Sequence, residues 1–115
     1  MSYTKTTGEI ESNPFNRSYT DNMDCQWTFN SNAEIELVFL RFDTEPSADF
    51  LRVYDGGSSS SPLIGTFSGS TLPSPIQSSS SNLFVRFTSD SSGIHQGFGA
   101  RYRGMTLILQ RYWGL

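Results

Sequence analysis

Apolar and polar residues alternate with a period of two along most of this 115-residue chain, and no window keeps a helical spacing of apolar residues. Such alternation is typical of strands with one buried and one exposed face. It predicts several short strands whose buried faces are Cys25, Trp27 and Phe29; Ile35, Leu37 and Phe39; Leu51 and Val53; Leu83, Val85 and Phe87; and Phe98, Ala100 and Tyr102. A shorter run, from Leu63 to Phe67, carries Gly65 at its centre.

Turn-forming sequences separate these runs. Asp55-Gly56-Gly57 is followed by four serines and Pro62, and serine-rich segments at 78–81 and 89–93 lie on either side of a later strand. Glycine accepts the positive φ that tight turns require, and proline interrupts a strand. Short, half-buried strands joined by such turns predict an all-β fold, an antiparallel β-sandwich.

Length and charge narrow the class of protein. The chain corresponds to one domain, which is large enough for a single core. Eleven acidic and eight basic residues give a net charge of −3, without the cluster of Lys and Arg that nucleic-acid binding requires. The apolar runs are too short to span a membrane, and the first residues lack the apolar stretch of a signal peptide. We therefore expect neither nucleic-acid binding nor membrane insertion.

Three acidic residues stand in two of the predicted loops. Glu45 and Asp49 lie between two predicted strands, and Asp90 follows the strand that ends at Phe87. Calcium takes about six to eight oxygen ligands, commonly carboxylates completed by carbonyls and water. The spacing alone leaves two alternatives open, a calcium site or acidic loops that are simply solvated.

Catalytic chemistry has little support in the sequence. There is no Gly-x-Ser-x-Gly motif, and the one histidine, His95, lies in a glycine-flanked loop with no positioned partner. Cys25 stands within a strand pattern beside Trp27, which favours a buried or disulfide-bonded cysteine over a nucleophile. One cysteine and one histidine cannot form a usual zinc site. We therefore expect a protein that is not an enzyme.

Several motifs, taken in order along the chain, resemble a CUB domain, an extracellular β-sandwich module with a jelly-roll-like fold. The resemblance rests on Gly8-Glu9-Ile10-Glu11-Ser12, Asp24-Cys25-Gln26-Trp27, residues 49–56, residues 65–69, residues 85–90 and residues 97–102. It predicts an N-terminal lead-in over residues 1–7, the CUB domain over 8–102 and an apolar C-terminal extension over 103–115.

The resemblance implies a calcium site. Many CUB domains bind calcium through acidic residues at positions that match Glu45, Asp49 and Asp90, with help from a residue near Ser92. In such modules the carboxylates matching Glu45 and Asp90 also accept hydrogen bonds from a lysine of the partner. The resemblance therefore implies a secreted, calcium-stabilised module for protein–protein recognition.

Two positions depart from the family pattern. Ala48 stands where the family often has a tyrosine that touches the partner's lysine, and Phe15 replaces a tyrosine that lies near the ion. Because neither residue has a hydroxyl, these departures affect lysine capture more than they affect calcium binding.

A second implied function is glycan binding, as in the small single-domain spermadhesins that the chain resembles in size. Tyr54, or Tyr112 and Trp113 near the C-terminus, are candidate aromatic platforms for a sugar. Asn16-Arg17-Ser18 is an N-glycosylation triplet, which would make a secreted form a glycoprotein.

The resemblance also changes the interpretation of Cys25. The usual module pairs this position with an upstream cysteine, which here would fall at or just before Met1. Ser68 stands in the family's Phe-Cys-Gly position, and residues 46–48 contain no cysteine, so the chain resembles the two-cysteine subgroup. Cys25 is then half of an extracellular disulfide whose partner lies outside this chain, or a thiol available for an intermolecular bond.

The last thirteen residues, 103–115, are apolar for the end of a soluble chain. The alternation predicts a strand with two fairly apolar faces, formed by Met105, Leu107 and Leu109 on one side and Thr106, Ile108 and Gln110 on the other. An exposed strand of this kind is a docking or aggregation site. Three hypotheses follow: it packs on the sandwich, it forms a homo-oligomer through residues 104–115, or it is a disordered tail.

Overall fold

The computed structural model describes residues 5–12, 23–90, 97–105 and 107–114, and these ranges contain strands and loops but no helix, hence none that could cross a membrane. The strands are β1 (Lys5–Glu11), β2 (Asp24–Asn30), β3 (Glu36–Asp43), β4 (Phe50–Tyr54), β5 (Leu63–Phe67), β6 (Ile76–Gln77), β7 (Asn82–Thr88), β8 (Gly97–Met105) and β9 (Ile108–Gly114). Sheet A has the order β1-β8-β3-β6, and sheet B has the order β5-β4-β7-β2-β9. The predicted antiparallel β-sandwich is confirmed.

Aromatic side chains from both sheets form the centre of the core. Trp27 and Phe87 of sheet B and Phe98 of sheet A are fully buried. The Trp27 ring meets the Phe98 ring edge-on with centroids 5.5 Å apart, and the Phe87 ring lies 5.6 Å from the same phenyl ring. An edge-to-face pair such as that of Trp27 and Phe98 contributes beyond the area it buries. This packing fixes which face of each strand points inward, as the alternation predicts.

A β-bulge in β3 explains why the buried positions of this strand do not follow a strict period of two. The register of β3 against β8 shifts between Phe39 and Arg41. After the inward-facing Phe39, strict alternation would turn Arg41 inward. Because the bulge adds one residue to β3, the next inward-facing side chain is that of Phe42, which is buried. The Phe42 ring then packs edge-on against Phe39, with centroids 6.1 Å apart. The bulge thereby sets the direction in which the chain leaves β3 at Asp43.

Two strands of sheet A are not predicted by the sequence pattern. β1 starts at Lys5, inside the segment expected to be a lead-in, and pairs with β8 over its whole length. Gly8 lies opposite Tyr102, and a side chain at this glycine would collide with the tyrosine ring. β6 has only two residues and pairs with β3 at Glu36 and Leu37. Because neither segment has strong alternation of its own, its neighbours determine its conformation.

The C-terminal segment differs from the predicted strand over 105–110. β8 extends to Met105, Leu107 is buried, and β9 begins at Ile108. The chain crosses here from sheet A to sheet B, where β9 pairs with β2 from Asn30↔Ile108 to Asp24↔Gly114. Of the three hypotheses, the structure shows the extension packed on the sandwich, as an outer strand of sheet B.

An ion pair on the outer face of sheet B joins β2 to β7. Arg86 donates from Nε to Oδ1 of Asp24 at 2.9 Å and from Nη2 to Oδ2 at 2.7 Å. Arg52 lies opposite Arg86 on β4, so the carboxylate offsets the repulsion between two like charges. The hydrogen bonds from Arg86 lower the pKa of Asp24 below its ordinary value of 3.8.

We predict that Asp24→Asn lowers the free energy of unfolding at pH 7 by about 1 kcal/mol or less, because the pair is partly exposed. Since the pKa of Asp24 is lowered on folding, the stabilisation is fully present above 3.8 and is lost as the pH falls through the folded-state pKa. Urea denaturation of the unmodified chain and of Asp24→Asn, carried out from pH 7 down to acidic pH, measures the difference in their free energies of unfolding. Glu9→Gln, whose 3.8 Å pair with Arg101 is more exposed, is the control with a smaller effect. A difference that does not shrink in acid would contradict the prediction.

Candidate functional site

The three acidic residues predicted as calcium ligands come together where β3 and β7 end. Glu45 and Asp49 belong to the loop between β3 and β4, and Asp90 follows β7. One carboxylate oxygen from each lies within 4.8 Å of those from the other two. Asp49 is fully buried, whereas Glu45 and Asp90 are partly exposed. The cluster therefore reaches from the interior to the surface.

Strand pairing places Asp49 and Asp90 side by side. β4 and β7 are antiparallel, with Phe50 opposite Thr88, so the residue before β4 lies next to the segment after β7. The Asp90 N–H donates to Oδ1 of Asp49 at 2.9 Å. This bond joins two loops that are 41 residues apart in the chain.

A second contact fixes the start of the segment after β7. The backbone N–H of Ser89 donates to the carbonyl of Met23 at 3.0 Å, and the N–H of Met23 donates back to Oγ of Ser89 at 2.8 Å. Asp90 is thus held through its own N–H and through its neighbour.

A tight turn brings Glu45 and Asp49 together within one loop. The N–H groups of Ala48 and Asp49 both donate to the carbonyl of Glu45, at 3.3 and 3.1 Å. Ser47 has a φ of 60°, in the left-handed region that non-glycine residues seldom adopt. The turn therefore brings the carboxylates of Glu45 and Asp49, which are four residues apart in the chain, onto one compact loop.

The hydroxyl of Ser68 braces this turn from the loop after β5. Its Oγ donates to the carbonyl of Glu45 at 3.0 Å and accepts from the N–H of Ser47 at 2.9 Å. Next to it, the N–H of Thr44 donates to the carbonyl of Gly69, and the N–H of Gly69 donates to Oγ1 of Thr44, both at 2.9 Å. In the family pattern, a disulfide joins these two loops. This chain has no cysteine in either loop, and hydrogen bonds join them instead.

The chemistry of the cluster fits calcium. All three side chains offer hard carboxylate oxygens, which calcium prefers, and none offers the nitrogen or sulfur typical of zinc sites. Three neighbouring carboxylates repel one another, and this repulsion is strongest where Asp49 is shielded from water. A divalent cation would offset it, with the remaining coordination coming from carbonyls and water.

The other residues singled out by sequence lie elsewhere. Tyr54 is at the opposite end of β4 from Asp49, half-buried against Phe84 with ring centroids 5.7 Å apart, so it does not join the acidic cluster. Tyr112 is exposed on β9. Side chains that lie outside the described residues are those of Phe15, Asn16, Ser92, His95 and Trp113.

Cys25 is fully buried in β2, with Phe87 opposite it on one side and Trp113 of β9 on the other. Burial raises the pKa of its thiol to about 12, so almost no thiolate forms at neutral pH. An intermolecular disulfide needs an accessible sulfur, and in this fold the strands around Cys25 would have to separate first. Pairing with a cysteine outside the chain stays a prediction.

Sequence interpretation found the three acids but missed the groups that position them. Thr44, Ser47 and Ser68 carry no motif of their own, and their contacts join residues 21 to 25 positions apart. The family resemblance offered one signal, since Ser68 stands where the family pattern has a cysteine.

These features define a small antiparallel β-sandwich module whose candidate chemistry lies in its loops. The family model of the CUB domain matches residues 1–102, so the chain belongs to the CUB domain family. The predicted family is confirmed, although the match begins before residue 8 and β8 continues beyond residue 102.

Several curated relatives share 39% identity with the chain, and they include two different proteins. One is cubilin of Canis lupus familiaris, aligned over 102 residues, which are 84% of this chain and 3% of that protein. The other is multiple epidermal growth factor-like domains protein 8 of Rattus norvegicus, aligned over 89 residues, which are 75% of this chain and again 3% of that protein. The chain thus spans a small fraction of the length of the curated relatives it matches.

Among solved structures, the chain is similar to the MASP-1 CUB2 domain, whose crystal structure is described as bound to Ca2+. The TM-score is 0.74 at 27% identity, covering 87% of this chain and 94% of that domain. A human MASP-1/3 fragment of three domains, CUB1-EGF-CUB2, has a TM-score of 0.72 at 24% identity over 84% of this chain and 40% of that fragment. The second likeness supports the fold alone.

We predict that Ser68→Ala lowers the free energy of unfolding by about 1–2 kcal/mol, because it removes two hydrogen bonds at a partly buried position. Ser70→Ala, at an exposed serine two residues away, is the matched control and should have little effect. Urea denaturation of the two variants measures the difference. Equal stability of Ser68→Ala and the unmodified chain would show that the hydroxyl does not brace the turn.

Proposed function

We propose that this CUB domain is an extracellular, non-enzymatic module that binds calcium and presents its ion-ordered loops to a protein partner. The observation that carries the proposal is the convergence of Glu45, Asp49 and Asp90, with carboxylate oxygens within 4.8 Å of one another. The likeness to the MASP-1 CUB2 domain, described as bound to Ca2+, supports it.

Each acid would contribute differently to the ion site. Asp49 would supply the buried ligand, and its position is already fixed by the bond from the N–H of Asp90. Glu45 and Asp90 would close the site from the solvent side, with Ser92 as a further predicted ligand. Calcium supplies positive charge that offsets the repulsion among the carboxylates and links the two loops. Because these ligands converge only in the folded chain, binding raises stability.

Recognition of a partner would use the exposed side of the same cluster. Glu45 and Asp90 are the partly exposed members of the cluster, although the Oε1 atom of Glu45 is itself buried, so a lysine of another protein would approach from the side of Asp90 and the second oxygen of Glu45. A charge-assisted hydrogen bond between lysine and an oriented carboxylate gives a specific contact. Ala48, on the turn between two of the acids, has no hydroxyl to add to this contact, so we place calcium binding ahead of lysine capture.

We predict that calcium raises the melting temperature and that Asp90→Asn abolishes this shift. At a calcium concentration about one hundred times Kd, the stabilisation is about 2.7 kcal/mol. For a domain of this size that corresponds to roughly 10 °C. Thermal melts in calcium and in chelator measure the shift.

Asp55→Asn is the matched control, since it removes one loop carboxylate from the opposite end of β4 and should leave the calcium shift intact. No shift in the unmodified chain would refute calcium binding. An equal shift in Asp90→Asn would refute this site.

Glycan binding is a second candidate, and one surface feature favours it. The exposed Tyr112 lines a shallow groove on the outer face of sheet B, together with Gln26, Thr28, Gln110 and Arg111. An aromatic ring beside amide, hydroxyl and guanidinium groups offers the apolar and hydrogen-bonding surfaces that a sugar requires. No member of the acidic cluster lines this groove, so binding there would not depend on calcium.

A glycan array separates the two candidates when it is run in a calcium chelator. We expect a sugar held in this groove to bind in chelator and to be lost in Tyr112→Ser, because the variant removes the stacking ring. Asn30→Ser, at an exposed position of β2 outside this lining, is the control. An array without bound sugars, or binding that Tyr112→Ser leaves unchanged, would exclude this groove.

A further inference from the structure

The two sheets have four outer strands among the described residues, and three of them carry features that hinder pairing with another strand. β1 carries the acidic side chains of Glu9 and Glu11. β5 follows Pro62 directly, and its register against β4 shifts. β6 has only two residues and follows Pro75. Charge, proline, irregular register and short length all protect a sheet edge.

Over Ile108–Gly114, β9 lacks the proline, the short length and the irregular register found in other outer strands, and its one charged side chain is Arg111. It contains no proline, and it pairs with β2 over its whole length without a register shift. Among the described residues, β9 is the last strand of sheet B and no strand pairs with its other edge. Ile108 and Tyr112 are each 62% exposed, the highest values among the large hydrophobic side chains that the structure describes.

The sequence of β9 is complementary to itself in one antiparallel register. Ile108, Gln110 and Tyr112 lie on one face, because alternate residues of a strand share a face. Centred on Gln110, a second copy would place its Tyr112 opposite Ile108 and its Leu109 opposite Arg111. Centred on Arg111 instead, it would place two arginines directly opposite each other, which is unfavourable.

We infer that β9 is an interface through which two copies of this chain pair edge to edge, antiparallel and centred on Gln110. The pairing joins two five-stranded sheets into one continuous sheet. It covers each exposed Ile108 with the Tyr112 of the other copy, so the contact occurs twice. β9 lies outside residues 1–102 that the family model matches, and the pairing uses no residue of the acidic cluster. It therefore does not depend on the proposed calcium site.

Sedimentation velocity of the full chain over a concentration series tests this inference. We expect a monomer–dimer equilibrium that Gln110→Lys weakens at least about tenfold in Kd, because two ammonium groups then meet at the axis. Gln77→Lys makes the same change at an exposed position of sheet A and should leave the dimer unchanged. A monomer at the highest soluble concentration, or a Gln110→Lys dimer as tight as the unmodified one, would overturn the inference.

Disulfide trapping tests the register without any added charge. Ile108→Cys and Tyr112→Cys chains, mixed and mildly oxidised, should form a heterodimeric disulfide, since the two positions are opposite each other. Either variant alone should form little, because like positions are then four residues apart along the pairing, beyond the reach of a disulfide. Buried Cys25 does not compete. Equal trapping in mixed and unmixed samples would refute this register.

Discussion

The pairing of β4 with β7 is the constraint on which the candidate site depends. The same ladder that sets Phe50 opposite Thr88 also sets Leu51 opposite Phe87, two side chains that are fully buried. A slip of one residue would turn these apolar side chains outward, so the core enforces the register strongly. Because Asp49 directly precedes this ladder, the packing that stabilises the sandwich also determines where its buried carboxylate lies.

Hydrogen bonds hold the acidic loops in a chain whose only cysteine is isolated in the core. Ser68 links its own loop to both Glu45 and Ser47, in the place where the family resemblance leads one to expect a disulfide. Each such bond contributes only about 1 kcal/mol. A bound cation would add a further link between the β3–β4 loop and the segment after β7, so calcium binding and the order of these loops would be coupled.

Alternation predicted much of the fold because buried positions alternate strictly in β2, and because Leu83, Val85 and Phe87 keep the same period in β7 although Phe84 between them is also buried. It missed β1 and β6, whose conformations depend on neighbouring strands, and it misplaced the last strand because the chain changes sheets near Leu107. The three acids were identified residue by residue, with the help of a family resemblance. Their mutual distance and the brace from Ser68 come from contacts between remote loops, which local sequence does not encode.

Calcium binding by Asp49 is the central claim, since this side chain is the buried member of the cluster. Titration calorimetry of the metal-free chain tests it most directly. We predict one calcium ion bound per chain, with binding lost in Asp49→Asn and retained in Asp55→Asn. Absence of binding in the unmodified chain, or binding that Asp49→Asn leaves unchanged, would contradict the claim.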